Sequence, residues 1–257
     1  MWNLIKYELK GYYKELAILV CSIIFCNLLL FTRINIWPIQ VITMGSFLVA
    51  FASTIIIFIW NISLYNRDLY GNTGYLLFTL PQKGYSILTS KILTSFIQMT
   101  VVNIIACSFT IFNLSRINDF DKIFQMAKES LSAQAVILGT FSTLYQYIYL
   151  LIFIYFCITI SRVAIRNKKI GKFGAFVSFV IISVILGKLN MWILSLFPQS
   201  IKVNVLTPQS FLQLNQYANV TASPAISFNI AYCIFDFITL AAFFLITSYL
   251  LEHKMDI

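Results

Sequence analysis

Few residues of this chain have the types and spacing that catalysis or metal binding needs. His253 is the only histidine among 257 residues, so it can supply neither a histidine-based metal cluster nor a Ser/His/Asp or Cys/His set. The five cysteines lie within apolar stretches and lack metal-ligand spacing, so we interpret them as small hydrophobic residues. These patterns argue against an enzyme, and we expect no metal site in the chain.

A phosphate-binding loop is also missing. Lys172 and Lys188 each follow a glycine, at Gly171 and Gly187, but neither pair has the upstream glycine and the downstream Ser or Thr of a Walker loop. We therefore expect the chain to bind no cofactor and to hydrolyse no ATP on its own.

Two opposite charges lie inside long apolar stretches. Lys188 is nine residues before the end of the stretch 173–197, and Asp236 is nine residues after the start of the stretch 227–251. An unpaired charge within a bilayer costs several kcal/mol, on the order of 3 kcal/mol by insertion scales. We predict that Lys188 and Asp236 form an intramembrane ion pair, either as a structural contact that fixes helix register or as a substrate or proton relay.

Six apolar stretches have the length of a bilayer-spanning helix, which is about 20 residues. The chain is 60% hydrophobic and 11% charged with a mean hydropathy of +0.85, too apolar for a water-soluble surface. Continuous apolar runs exclude the alternating pattern of a barrel and predict an all-α integral membrane protein, a single transmembrane domain over residues 1–257. The predicted transmembrane helices cover residues 16–32, 39–65, 92–114, 133–161, 173–197 and 227–251.

Basic residues predict the orientation of these helices. One set of connections carries twelve Lys and Arg residues and the other carries five, and the positive-inside rule assigns the richer set to the cytoplasm. Both termini are then cytoplasmic in a multi-pass protein of the cell membrane. The formal charge of +9 is explained by this asymmetry and by anionic lipid, so no nucleic acid partner is expected.

The first fifteen residues have the pattern of an amphipathic helix. Apolar residues and lysines recur at helical spacing on two different faces, which favours a helix lying flat on the membrane surface. The alternative is an ordinary basic flank of the first span. The residues that define the two faces are Trp2, Ile5, Lys6, Leu9, Lys10, Tyr12 and Lys14.

The connection 66–91 is much longer than a turn between antiparallel helices requires, and its centre is apolar. Its sequence Gly74-Tyr-Leu-Leu-Phe-Thr-Leu-Pro81, followed by Ile87-Leu88 and Ser90-Lys91, resembles permease subunits of ABC-2 type transporters. The six-span layout and the amphipathic N-terminus extend this resemblance over nearly the whole chain. An apolar segment outside the membrane must pack on its own bundle or on a partner.

The resemblance implies a cytoplasmic coupling helix between helices two and three that docks on a separately encoded ABC ATPase. Its predicted contact residues are Asp68, Leu69, Tyr70, Gly71, Gly74, Tyr75, Leu76, Leu77, Phe78 and Leu80. The resemblance also implies a dimer of this chain with two ATPase subunits, which would bind the ATP and Mg²⁺. The alternative for this segment is that it only caps the bundle.

The cargo implied by the resemblance is an amphipathic peptide, such as a toxin or antimicrobial peptide, exported across the cell membrane. Three alternatives remain at this point: an ABC exporter of lipid-like or drug molecules, an ion-coupled secondary transporter, and a membrane scaffold that moves no cargo. A secondary transporter typically has intramembrane ionisable relays and repeated halves with broken helices, and this sequence offers only Lys188 and Asp236.

Overall fold

A computed structural model describes residues 2–33, 36–70, 83–116, 132–164, 168–204 and 225–253. Within these ranges the chain forms six long helices and one two-stranded antiparallel sheet. The elements are α1 (Trp2–Phe31), α2 (Ile39–Tyr70), α3 (Gly84–Leu114), α4 (Ala133–Ala164), α5 (Lys168–Leu196), β1 (Ser200–Asn204), β2 (Ala225–Asn229) and α6 (Ile230–His253).

All six helices of the described ranges are long and apolar enough to cross a membrane. Each covers all or nearly all of one predicted apolar stretch, because a helix satisfies its own backbone groups in lipid. This marks the chain as a multi-pass membrane protein by length and composition.

The helices extend beyond several predicted ends. Residues 2–15 and the first apolar stretch form one uninterrupted helix, α1, and not two separate elements. The helix α2 continues to Tyr70 and α3 begins at Gly84, so both helices include residues of the predicted connection 66–91. Polar side chains such as Asn66 and Arg67 allow a helix to continue out of an apolar region, since water can solvate its polar end.

Contacts between residues divide the chain into two compact units, Met1–Phe120 with Thr247–Ile257 and Asp121–Ile246. In the first unit α1, α2 and α3 pack against one another around Leu19, Ile23, Ile57 and Val102. Polar contacts supplement this core: the Thr54 hydroxyl lies 3.0 Å from Asn103 Oδ1. Such contacts suit helices in lipid, where packing and hydrogen bonds replace the hydrophobic drive for association.

In the second unit α4 packs against α5 and supplies much of the buried surface. Phe153 of α4 lies between two rings, with centroids 5.0 Å from Phe179 and 5.3 Å from Phe243. Tyr155 of the same helix is fully buried. Aromatic side chains bury a large area, so this cluster supplies much of the packing of the unit.

The sheet changes the predicted start of the sixth span. Residues 225–229 form strand β2, paired with β1 so that Ser200 faces Asn229, and the helix begins only at Ile230. The Asn229 side chain explains the boundary, because its Oδ1 accepts a hydrogen bond from the Tyr232 amide at 3.0 Å. Asparagine is a preferred helix N-cap, since its side chain satisfies an amide that the first turn leaves free.

Candidate functional site: an ion triad joining α1, α2 and α3

Three charged side chains from three helices meet in the first unit, and we name Glu8, Asp68 and Lys91 the triad. The Lys91 Nζ lies 3.0 Å from Glu8 Oε1 and also forms an ion pair with Asp68 Oδ2. The side chains are 3%, 10% and 15% exposed for Lys91, Glu8 and Asp68. Because ions lose hydration on burial, such a cluster is stable only when each charge is compensated.

Hydroxyl groups of α3 complete the surroundings of Glu8. The Thr94 hydroxyl donates a hydrogen bond to Glu8 Oε2 at 2.9 Å. The Ser90 hydroxyl lies 3.4 Å from Glu8 Oε1 and donates to the Ile87 carbonyl at 2.8 Å. Ser90, Lys91 and Thr94 lie on one face of α3, as their three- and four-residue spacing requires. Both oxygens of the Glu8 carboxylate therefore have partners on α3.

A second contact joins α1 to α2 one turn further along α1. The Arg67 guanidinium donates a hydrogen bond to the Tyr12 hydroxyl, and its Cζ lies 5.0 Å from the centre of the Tyr12 ring. Arg67 and Asp68 are adjacent in sequence, so α2 contacts α1 through Arg67 and α3 through Asp68.

The first residue of α3 packs tightly on the last turns of α6. The Gly84 amide lies 3.3 Å from Glu252 Oε2, which gives a negative partner to a helix N-terminus. A Cβ on Gly84 would overlap the Ser248 carbonyl oxygen, so only glycine permits this approach. The N-terminal end of α3 is thus held both by α6 and, through Lys91, by α1 and α2.

These contacts lie on both sides of residues 71–82, which are outside the described residues. Asp68 is two residues before the end of α2, and Lys91 is seven residues after the start of α3. The predicted coupling residues Gly71, Gly74, Tyr75, Leu76, Leu77, Phe78 and Leu80 belong to the part that is not described.

The remaining predicted coupling residues are helical. Asp68 forms an ion pair with Lys91 of the same chain. Leu69 is 6% exposed and therefore buried within its own chain. Tyr70, the last residue of α2, is half-buried. Of these three residues, Leu69 contributes to packing rather than to an exposed contact surface.

The predicted N-terminal stripe separates into two faces. Lys6, Lys10 and Lys14 are exposed, whereas Ile5 is buried and Leu9 is half-buried. Tyr12 is half-buried and contacts Arg67, while the side chain of Trp2 lies outside what the structure describes. The apolar face of this part of α1 therefore packs partly on α2 and α3.

The structure does not bring Lys188 and Asp236 into an ion pair. Lys188 of α5 is exposed, and among the described residues the ion pairs are those of the triad. Asp236 of α6 is buried and accepts a hydrogen bond from Tyr232, one turn earlier on the same helix. Because Tyr232 supplies a local donor, the carboxyl group has a partner without a lysine.

The described ranges contain no group of three or more His, Cys, Asp or Glu side chains placed so that they could hold a metal ion. In the triad the lysine ammonium lies against both carboxylates and takes the place that a cation would need.

Sequence reasoning named Asp68 and Lys91 separately and missed Glu8 and the contact of Gly84 with α6. The available signal was three charged residues at the polar ends of apolar stretches, but hydropathy does not show which of them are in contact.

The chain matches no known protein family, no curated protein and no solved structure.

Proposed function

We propose that this chain is the transmembrane permease subunit of an ATP-driven exporter of the ABC-2 type, working with a separate ATPase subunit. The observation that carries the proposal is the triad, which joins α1, α2 and α3 at the two ends of residues 71–82. Six helices able to span a membrane supply the transport domain that such a subunit needs.

The triad supports the proposal because a coupling segment must pass movement to the helices that surround the cargo pathway. Separating Lys91 from Glu8 or Asp68 would leave buried charges without partners, which costs about 3–5 kcal/mol. A push on residues 71–82 is therefore expected to move the connected ends of α2 and α3 together with α1, rather than to bend the segment alone.

The proposed assembly contains two copies of this chain and two ATPase subunits. ATP and Mg²⁺ bind in the ATPase, and the energy of hydrolysis reaches the membrane helices through residues 68–80. Alternation between two arrangements of packed helices then exposes the cargo site to either side of the membrane. The cargo that we propose is an amphipathic peptide, with lipid-like or drug molecules as the alternative.

A second candidate function is ion-coupled secondary transport, and one observation favours it. Asp236 is a buried carboxyl group in a helix able to span the membrane, and intramembrane acids often belong to proton or ion pathways. In that case transport would follow an imposed proton or sodium gradient in vesicles containing this chain alone.

The test is co-expression of the chain with an ATPase encoded by a neighbouring reading frame, followed by purification and reconstitution. We expect the two proteins to purify together and peptide to accumulate in inside-out vesicles only with ATP and with both subunits present. Leu77→Asp should abolish co-purification, because a charge replaces an apolar contact. Asn72→Asp adds the same charge at a polar position of the same segment and should retain the complex.

Two results would contradict the proposal. The first is ATP-independent uptake driven by an ion gradient in vesicles that lack the ATPase. The second is equal co-purification of wild type and Leu77→Asp, since the coupling segment would then make no contact with the ATPase.

A further inference from the structure

A cavity of about 320 Å³ lies between α1 and α2 and contains none of the three triad residues. Its volume is in the range of about 300–1,000 Å³ that small-molecule sites occupy. The residues that line it are Tyr12, Glu15, Trp60, Ser63, Leu64 and Arg67.

The position of this cavity corresponds to the end of two apolar stretches. Glu15 immediately precedes the apolar stretch of α1, and Trp60 lies close to the end of the apolar stretch of α2, with Arg67 beyond it. Tryptophan and arginine at such positions are typical of the membrane interface, where lipid headgroups lie.

The cavity wall carries one group of each charge, and the two are kept apart. Glu15 and Arg67 are both exposed, and in the described part of the chain they form no ion pair with each other. Arg67 donates to the Tyr12 hydroxyl, but a guanidinium has five N–H donors, so this contact leaves capacity for an anion. Glu15 presents acceptor oxygens that suit an ammonium group.

A ligand with a single charge would satisfy only one side of this cavity. A purely anionic group at Arg67 would lie near the Glu15 carboxylate, whereas a lone ammonium at Glu15 would lie near the Arg67 guanidinium. A zwitterion with a phosphate and an ammonium satisfies both. Trp60 also lines the cavity, and indole rings attract ammonium groups through cation–π interactions.

We propose that this cavity binds a phosphoethanolamine group, with the phosphate on Arg67 and the ammonium on Glu15. A neighbouring pocket, which shares Tyr12, Glu15, Trp60 and Leu64 with this cavity and is also lined by Ile57 and Gln98, has a volume of only about 10 Å³, which holds about one water molecule. An acyl chain does not fit there, so the lipid tails of a phosphatidylethanolamine would remain in the bilayer. The inference is independent of the proposed export function.

The experiment uses the purified full chain and measures lipid binding by native mass spectrometry. Phosphatidylethanolamine and phosphatidylglycerol with identical acyl chains are titrated separately, and free phosphoethanolamine is added as a competitor. We expect wild type to bind phosphatidylethanolamine at least about tenfold more tightly than phosphatidylglycerol. This ratio corresponds to the contribution of one charge-assisted hydrogen bond. Competition by free phosphoethanolamine would identify the headgroup alone as sufficient, and its absence would identify the lipid as the ligand.

Three variants separate this site from general surface charge. Glu15→Gln keeps the shape but removes the partner of the ammonium, so it should lose the preference for phosphatidylethanolamine. Arg67→Gln should weaken the binding of both lipids. Lys14→Gln changes an exposed charge adjacent to Glu15 that does not line the cavity, and it should behave as wild type.

Equal affinity of wild type for the two lipids would overturn the proposal. An unchanged preference for phosphatidylethanolamine in Glu15→Gln would also overturn it. So would a loss of this preference in Lys14→Gln as large as the loss in Glu15→Gln. Glu15→Gln is nearly isosteric at an exposed position, so folding of this variant, checked by its elution volume and helical circular dichroism, is expected to be retained.

Discussion

At the scale of single residues, the least expected group is the buried ammonium of Lys91. A lysine that is 3% exposed needs close anionic partners, and Glu8 and Asp68 provide two carboxylates for one positive charge. The hydrogen bond from Thr94 offsets part of the excess negative charge at Glu8. The stability of the cluster therefore depends on all its members, and the removal of one should cost more than the removal of all.

Lys91→Met tests this dependence. The variant leaves two buried carboxylates without their cation, so we expect a loss of about 3–5 kcal/mol of stability. The melting temperature of the purified protein, followed by tryptophan fluorescence, should fall well below that of wild type. Lys83→Met is the control: Lys83 is exposed and immediately precedes α3, so its replacement should change the melting temperature little.

The triple variant Glu8→Gln, Asp68→Asn, Lys91→Met completes the comparison. It removes every charge of the triad. The Gln and Asn side chains keep the shapes of Glu8 and Asp68 and can still accept hydrogen bonds, so the triple variant should recover most of the stability that Lys91→Met loses. An effect of the triple variant equal to the sum of the three single losses would show that the charges do not act as a unit.

At the scale of elements, a close approach between α3 and α6 depends on one glycine. Gly84→Ala would force the start of α3 away from Ser248 and weaken the contact between the Gly84 amide and Glu252. We expect a destabilisation of roughly 1–3 kcal/mol, the usual cost of overpacking. Thermal unfolding of the purified variant measures the loss.

Gly11→Ala is the matched control for this prediction. A Cβ on Gly11 of α1 meets nothing within 4 Å, so alanine should leave stability unchanged or raise it by roughly 0.5–1 kcal/mol. A Gly84→Ala protein as stable as Gly11→Ala would mean that α3 and α6 are not held at the distance seen here.

The elements also show what the sequence could predict. Each of the six apolar stretches corresponds to one helix, although the sixth helix starts three residues later than predicted, because hydropathy over about 20 residues directly reports the requirement of lipid. The helical ends beyond them, residues 66–70 and 84–91, carry polar side chains that hydropathy assigns equally well to a loop. Asp68 and Lys91 lie in these ends, and Glu8 lies in the polar start of α1. The sequence therefore shows each residue of the triad but not that the three are in contact.

The contact predicted between Lys188 and Asp236 illustrates the same limit. Similar distances from helix ends indicate similar depth, but depth does not define which faces of two helices meet. Asp236 instead has Tyr232 on its own helix, a partner at the i−4 position. A short-range rule, the i, i+4 neighbour, would have found this partner directly.

At the scale of the whole molecule, the distribution of basic residues predicts one orientation for the entire chain. The triad, the cavity beside it and the exposed lysines of α1 all belong to the ends of helices that face the lysine-rich connections. The proposed contact with an ATPase requires those ends to face the cytoplasm. An inverted protein would present residues 71–82 to the exterior, where no ATP-dependent partner is expected.

Single cysteines in a cysteine-free variant test this orientation on intact cells. Lys202→Cys lies on β1 at an exposed position in the lysine-poor set, and a membrane-impermeant maleimide should label it from outside. Lys254→Cys lies in the lysine-rich set and should react only after the membrane is permeabilised. Replacement of the five native cysteines removes the background, because Cys21 and Cys107 are exposed on their helices. Labelling of Lys254→Cys on intact cells would contradict the predicted orientation, and with it the proposed contact between residues 71–82 and a cytoplasmic ATPase.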